Sequence, residues 1–384
     1  MKKKRISILG STGSIGRQAL EIIEKFPERF KVVSLAAGEN LEILARQIKK
    51  FKPRSVSVIS EQKAKALKKM IPGPVSVAWG EEGLDRAATD EDADLVLMSL
   101  VGSAGLKPLL KAISCGKTIA LANKEPMVMA GKIIMEQVRK NSARLIPVDS
   151  EHSAIFQLLE GRPRKQLRRV ILSASGGPFL GRKKEQLKNV SIVQVLKHPT
   201  WKMGKKITVD SATLMNKALE LIEAKWLFDL TPEQVSVIIH PQSIVHSLVE
   251  MNDGAIFAHL SVPDMRIPIS YALFWPERPM LDLKKLDLAE ISQLKFEEPD
   301  FNQFPALRLG FRALNMEGTM AAVMNAANEE AVRAFLSGKI SFNRIVRIVE
   351  KVMDAHKSWE PNNLGDVLKA DCGARERARK LINV

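Results

Sequence analysis

Over the first 149 residues, short apolar runs alternate with segments whose apolar positions recur at helical spacing. The runs fall at 6–9, 32–37, 56–59, 95–100, 118–121 and 145–148. Such runs have no polar face. They predict strands buried on both sides, hence a parallel sheet with crossover helices. From 150 to 275, runs at 170–172, 207–209, 235–239 and 255–260 mix with helical patterns and glycine loops, an α+β pattern. Pro276, Pro279, Pro299 and Pro305 punctuate an acidic, weakly periodic stretch, which predicts a linker over 276–303. Beyond it Phe342, Ile345, Val349 and Val352 recur at helical spacing, with Gly338 placed as a helix stop. Residues 304–384 therefore read as a bundle of three or four helices. The expected fold class is α/β, with an N-terminal parallel sheet (1–149), a central α+β domain (150–275) and a C-terminal helical bundle.

A chain of 384 residues exceeds one ordinary core, and 45% hydrophobic with 27% charged residues is a globular composition. After the basic residues 2–5 the apolar stretch is too short and broken for a signal peptide or membrane span, which predicts a cytoplasmic protein. Cys115 and Cys372 are far apart and lack C-x-x-C partners, in agreement with a reducing compartment and against a zinc site. The net charge of +16 implies an anionic partner or a solvated surface. The densest basic run, Arg162 to Arg169, carries no interleaved aromatic residue and reads as a solvated loop, not a nucleic-acid patch.

Gly10-Ser11-Thr12-Gly13-Ser14-Ile15-Gly16 follows the first predicted strand and opens the first helix, where glycines let backbone approach a pyrophosphate. A dinucleotide is expected there. The second strand ends in Ala37-Gly38-Glu39-Asn40, which leaves NAD and NADP open on physics alone. Asn123-Lys124-Glu125 ends the sixth run at the carboxyl edge where open sheets bind ligands.

Asp149 and Glu151 lie where the last run ends, and extended i, i+2 spacing would send both carboxylates to one side, able to grip one ion. Glu220 comes one helical turn after Asn216, on a segment opened by Asp210, Ser211 and Thr213. With no Cys or His at zinc spacing, three carboxylates favour magnesium or manganese. Ser173, Ser175, Gly176 and Gly177, with Ser211, Thr213, Asn216 and Lys217, supply phosphate donors. A cation at Lys217 in a helix's first turn opposes the dipole unless an anion fills the space. His198, Trp201, Met203 and Gly204 lie in a segment suited to close over a ligand, and His152, His240 and His246 flank the same motifs.

The set GSTGSIG, ANKE, PVDSEHSAIFQ, SASGGPF, HPTWKMG, VDSATLMNKALELIEA, HPQSIVHS and NAANEEAV resembles the 1-deoxy-D-xylulose 5-phosphate reductoisomerase family, from about residue 5 to the end of the sequence. The resemblance implies a Rossmann-like NADPH-binding domain and NADPH-dependent rearrangement and reduction of 1-deoxy-D-xylulose 5-phosphate to 2-C-methyl-D-erythritol 4-phosphate. It also implies a divalent metal (magnesium, manganese or cobalt) and a cytoplasmic homodimer acting on a small phosphorylated sugar, without nucleic acid or membrane. Carried over, Asp149, Glu151 and Glu220 are metal ligands; Ser150, Lys124, His152 and His246 contact the substrate body; Ser175, Ser211, Asn216, Lys217 and His198 hold its phosphate. Trp201 and Met203 belong to a flap. Gly10, Ser11, Thr12, Gly13, Ser14, Ile15, Gly38, Asn40, Asn123, Lys124, Glu125, Met203 and Gly204 are the expected cofactor contacts.

Two departures from the family pattern stand out. Pro126 replaces a hydroxyl residue, tolerable in the first turn of a helix. Glu39 puts a carboxylate where a 2′-phosphate would be met, so a narrowed NADP preference is expected. A semialdehyde dehydrogenase would explain the first 149 residues equally well, but it needs a nucleophilic cysteine, and neither Cys115 nor Cys372 is placed for acyl chemistry. A non-enzymatic NADP or nucleic-acid binder would leave three carboxylates unexplained.

Overall fold

The computed structural model describes residues 2–71 and 73–383. The chain divides into two compact units. The first takes the chain up to Pro126, Ile134–Ser153 and Asp264–Asp282; the second takes Met127–Ile133, Ala154–Pro263 and the chain from Leu283 onward.

In the first unit β1 (Lys4–Leu9), α1 (Ser14–Lys25), β2 (Phe30–Ala36), α2 (Leu41–Phe51), β3 (Ser55–Val58), α3 (Glu61–Lys68), β4 (Ser76–Trp79), α4 (Gly80–Ala88), β5 (Leu95–Met98), α5 (Leu106–Ser114), β6 (Thr118–Leu121), α6 (Glu125–Lys140) and β7 (Arg144–Pro147) follow in turn. The seven strands are all parallel, in the order β4-β3-β2-β1-β5-β6-β7. Ile6, Ile8, Leu9, Leu35 and Leu97 are all fully buried, as the two-faced apolar runs require. The order reverses between β1 and β5, and the carboxyl edge at such a switch is where open sheets take ligands. Pro126 sits in the first turn of α6, where its missing amide hydrogen costs nothing.

The second unit holds α7 (Ser150–Leu159), whose first residues belong to the first unit, then β8 (Leu167–Ala174), α8 (Ile192–Val195), α9 (Lys205–Thr213), α10 (Met215–Phe228), β9 (Val235–Ile239), β10 (Val245–Met251) and β11 (Ile256–Leu260). These strands form a mixed sheet in the order β11-β10-β8-β9. After α11 (Arg266–Phe274) come a short α12 (Leu288–Ile291) and four helices, α13 (Pro305–Met316), α14 (Met320–Leu336), α15 (Phe342–Asp354) and α16 (Leu364–Ile382). One apolar core runs from β8 and α10 through α13 to α16. Gly310 of α13 lies so near α10 that an added Cβ would stand 2.6 Å from the Ala218 side chain, fixing the helix that carries Glu220.

Three details differ from the sequence reading. Residues 207–209 are helical, inside α9, because the run is packed into that core and Leu214, at φ 59°, breaks the chain only after Thr213. Asp210, Ser211 and Thr213 therefore close α9 instead of opening α10. α11 packs in the first unit, where Phe274 meets Phe26 and Phe30 edge-on and Lys4 donates to the Leu273 carbonyl.

Candidate active site

The glycine loop after β1 is shaped by steric necessity. Gly10 has φ +90°, and a Cβ there would stand 2.3 Å from the Ser99 carbonyl oxygen; one at Gly16 would stand 2.4 Å from that of Gly10. The Ser99 hydroxyl donates to the Leu9 carbonyl at 2.7 Å, tying β5 to the loop at the switch point. Gly13 precedes the first turn of α1, which bears Ser14 and Ile15. At the end of β2, a Cβ on Gly38 would meet nothing within 4 Å, and Asn40 Oδ1 accepts from the Ile43 amide to cap α2.

Lys124 immediately precedes α6 after β6, and Asp149 follows β7, so the parallel pairing of β6 and β7 sets the two side by side. They form an ion pair, Lys124 buried and Asp149 largely so. Burial would raise the Asp149 carboxyl, but the Lys124 charge, with the His152 ring beside it, outweighs burial and holds the group well below the usual carboxylate range. His152 is fully buried, with Nδ1 3.8 Å from Asp149 Oδ1. Glu151 lies in the first turn of α7, not in extended backbone, and its carboxylate accepts from the Ser150 hydroxyl. The backbone is helical from Ser150 instead of extended, yet the Asp149 and Glu151 carboxylates still come within 4.8 Å of each other, as one ion would require. Asn123 is committed internally: its amide donates to Gly102 and to Glu125, and its oxygen occupies the space a Cβ on Gly105 would need.

In the second unit the break at Leu214 directs the start of α10. Glu220, fully buried, accepts from Asn216 and Lys217 one turn earlier. Lys217 near the amino end of α10 thus has a carboxylate as its counter-charge here, which supplies the anion the dipole argument asked for. Glu223, 1% exposed on the same helix, is a buried carboxylate that the motif reading passed over, although its i, i+3 spacing from Glu220 was visible. The Thr213 hydroxyl donates to carbonyls of its own helix and accepts from the Met215 amide, so it stabilises the break and is not a ligand donor.

Ser175 and Ser211 are drawn together by Gly177, whose φ of +68° and missing side chain let it pack on the Ser211 carbonyl; a Cβ there would stand 2.8 Å from that oxygen. His198 Nδ1 accepts from the Thr200 and Trp201 amides at 3.1 and 2.9 Å, which puts the ring proton on Nε2. Nε2–H then donates to Ser175 Oγ at 3.1 Å, and Oγ also accepts from the Gly177 amide. Burial pushes His198 down to about 4. His246 Nε2 meets Ser261 Oγ at 2.8 Å, and because that hydroxyl donates to the Val262 carbonyl, His246 is the donor to it. Burial, then the neighbouring His259, pushes His246 down to about 4. Trp201 lies against the His246 ring, centroids 6.2 Å apart, while Met203 and Gly204 lead into α9. His240 is structural: Nδ1–H donates to the Lys295 carbonyl and the ring stacks on Phe296.

Family models cover most of the chain. That of 1-deoxy-D-xylulose 5-phosphate reductoisomerase matches residues 6–131, its C-terminal domain 145–228, and a DXP reductoisomerase C-terminal domain 260–377. The chain belongs to the 1-deoxy-D-xylulose 5-phosphate reductoisomerase family. Reductoisomerases of that name from Geobacter metallireducens and Chlorobaculum tepidum are 52% and 53% identical to it, over 99% of this chain and 100% of theirs. Among solved reductoisomerases, one from Zymomonas mobilis in complex with NADPH superposes with a TM-score of 0.92 at 42% identity, over 99% of each chain. Another, in complex with NADPH, fosmidomycin and magnesium, gives 0.93 at 38% identity, over 99% of this chain and 98% of that one.

Proposed function

We propose that this reductoisomerase rearranges 1-deoxy-D-xylulose 5-phosphate and reduces the product to 2-C-methyl-D-erythritol 4-phosphate, a step of non-mevalonate isoprenoid biosynthesis, with NADPH and a divalent metal. The observation that carries this is the end-to-end match to relatives of that name at 52% and 53% identity. The enzyme is an NADP-dependent oxidoreductase.

The residue roles are our reading of the motifs shared with the family and of the bonds within each unit. Asp149, Glu151 and Glu220 would hold the ion, and an all-carboxylate set fits magnesium or manganese, cobalt being implied by the family resemblance alone. The low pKa of Asp149 fits a ligand that is ionised at neutral pH, not a general acid. When bound, the ion supplies Lewis-acid polarisation of the substrate's ketone and hydroxyl oxygens. Lys124 would donate to a substrate oxygen, with Ser150, His152 and His246 along the substrate body. Ser175, Ser211, Asn216 and Lys217 would hold the phosphate, with His198 orienting the Ser175 proton. Trp201 and Met203 would exclude water when the segment closes.

NADPH supplies the hydride. Residues 10–15, Gly38 and Asn40 would hold it, with Asn123, Lys124, Glu125, Met203 and Gly204 nearer its nicotinamide. We assign dinucleotide binding to 1–149, catalysis to 150–275, linkage to 276–303 and support of the site helix to 304–384. A homodimer is supported by the edge strand β11, where Ile256 and Phe257 are 53% and 40% exposed. Two exposed free cysteines favour a cytoplasmic location. Among the described residues no helix is long and apolar enough to cross a membrane.

NADPH oxidation on addition of the pentulose phosphate, with and without chelator, tests the reading. Metal-dependent oxidation with the branched polyol phosphate as product is expected. No oxidation in the presence of metal would overturn it.

A further inference from the structure

In a doubly wound sheet the adenosine ribose lies at the carboxyl end of the second strand, where an acidic residue suits a 2′-hydroxyl and a cation suits a 2′-phosphate. This chain has Glu39 there, two residues beyond Ala37 and one before the helix cap Asn40. By charge alone it would repel NADP(H).

The structure pairs that carboxylate. Lys63 Nζ stands 3.0 Å from Glu39 Oε2, with the side chains 36% and 74% exposed. Lys63 comes from the neighbouring strand's helix: β3 pairs with β2 in parallel, and α3 opens after β3 with Ser60 as its cap, the Ser60 hydroxyl accepting from the Lys63 amide at 3.3 Å. Its backbone is thus fixed by the cap while its long side chain reaches across to the end of β2. A lysine in the first turn of a helix opposes the dipole and gains from a nearby anion. Glu39 supplies one negative charge; a phosphate monoester supplies more, with three acceptor oxygens.

We propose that Lys63 is the residue by which this chain recognises the 2′-phosphate of NADP(H), Glu39 being its partner when no dinucleotide is bound. The inference rests on the NADPH reading above and adds a specificity-determining residue to it. It reverses the expectation drawn from Glu39 alone. The cation is present at this corner, contributed by α3 and not by the residue after Gly38, and Glu39 competes for it instead of facing the phosphate unopposed.

The test measures binding without turnover, using adenosine 2′,5′-bisphosphate and 5′-AMP as probes in calorimetric titrations of the full chain. Wild type should prefer the bisphosphate. Lys63→Met should cut that preference by roughly 10-fold, the low end for a charge-assisted bond at a partly exposed site, with 5′-AMP binding and Tm unchanged. Glu39→Gln should raise affinity for the bisphosphate by about 2- to 5-fold, by removing the competitor. Lys63→Arg should retain the preference, which guards against a folding effect of Lys63→Met. A preference that survives Lys63→Met unaltered overturns the role of Lys63 while leaving the NADPH reading intact. Absence of any preference in wild type would instead overturn the NADPH reading itself.

Discussion

The Asn328 side chain donates through Nδ2 to Asp210 Oδ1 at 2.8 Å, with Asn328 fully buried and Asp210 only 1% exposed. Asn328 lies on α14 of the bundle, and Asp210 on α9, one residue before Ser211 and four before the break at Leu214. Lys206 supplies the other partner of that carboxylate at 2.7 Å. The bundle therefore holds the turn of chain from which Ser211, Asn216, Lys217 and Glu220 are presented.

Asn328→Leu should leave a buried carboxylate one donor short, at a cost of about 1 to 3 kcal/mol. The expected outcome is a Tm lower by roughly 2 to 10 °C together with a raised KM for the pentulose phosphate, as the α9–α10 break loses its anchor. Thermal denaturation and steady-state kinetics check both. An unchanged KM despite a lowered Tm would mean that the contact only stabilises the fold.

Glu220→Gln keeps the side chain's shape and its bond from Asn216 but removes one charge from the proposed three-carboxylate set. Metal affinity and turnover should both fall, with NADPH affinity near wild type. Metal titration followed by activity reads this. Full wild-type turnover in excess chelator would remove the metal from the reaction altogether.

Much of this was visible in the sequence, for identifiable reasons. Continuous apolar runs such as 6–9 read as two-faced strands, and Phe342, Ile345, Val349 and Val352 carried a clear helical period. Ile207, Thr208 and Val209 favour a strand by branching at Cβ, and only burial against the core and the break at Leu214 make them helical. Asp149 and Glu151 do converge, but through a helix start at Ser150 and not an extended strand, a local event that spacing does not encode. Lys63 was invisible to motif reading: a long side chain joins it to Glu39 across 24 residues, and no pattern marks such a reach. α11 joined the first unit through Phe274 and Leu273, a long-range packing that composition cannot announce.

Lys217 has two charge partners to serve in turn, Glu220 in this structure and, in the proposed complex, the substrate phosphate. Lys217→Ala deletes a charge-assisted bond of about 1.5 to 3 kcal/mol, so substrate binding should weaken by roughly 10- to 150-fold. It also leaves a buried Glu220 without its cation, so Tm should fall. A Michaelis constant equal to that of wild type would make Lys217 a structural partner of Glu220 alone.

His198 and His246, both pushed down to about 4, tie stability to pH. Between about pH 6.5 and 4 the unfolded chain binds protons at these rings that the folded chain refuses, so added protons favour unfolding. Stability is complete above about pH 6.5 and is lost as pH falls toward 4. The buried His246 accounts for up to about 3 kcal/mol, and the more exposed His198 for less. Tm at pH 5 should lie below that at pH 7.5, and replacing His246 with Gln should shrink the difference. An equal drop in the variant would show that other groups carry it.

Ser175 is placed so that its own proton points away from the protein bonds it makes. Its oxygen accepts from His198 Nε2–H at 3.1 Å and from the Gly177 amide at 3.2 Å, which uses both lone pairs and leaves the hydroxyl hydrogen to donate. A phosphate oxygen is the acceptor this arrangement suits, and the neutral state of His198 is what keeps its ring nitrogen Nδ1 accepting from Thr200 and Trp201. Ser175→Ala should therefore raise KM for the pentulose phosphate by roughly 10- to 150-fold with a smaller change in kcat, since the proposed bond to the phosphate would be made in ground state and transition state alike. His198→Ala should raise KM less than Ser175→Ala, because the serine can still donate but is no longer oriented. Equal effects on kcat and KM in Ser175→Ala would place the serine at the reacting carbons instead, and an unchanged KM would remove it from the phosphate site.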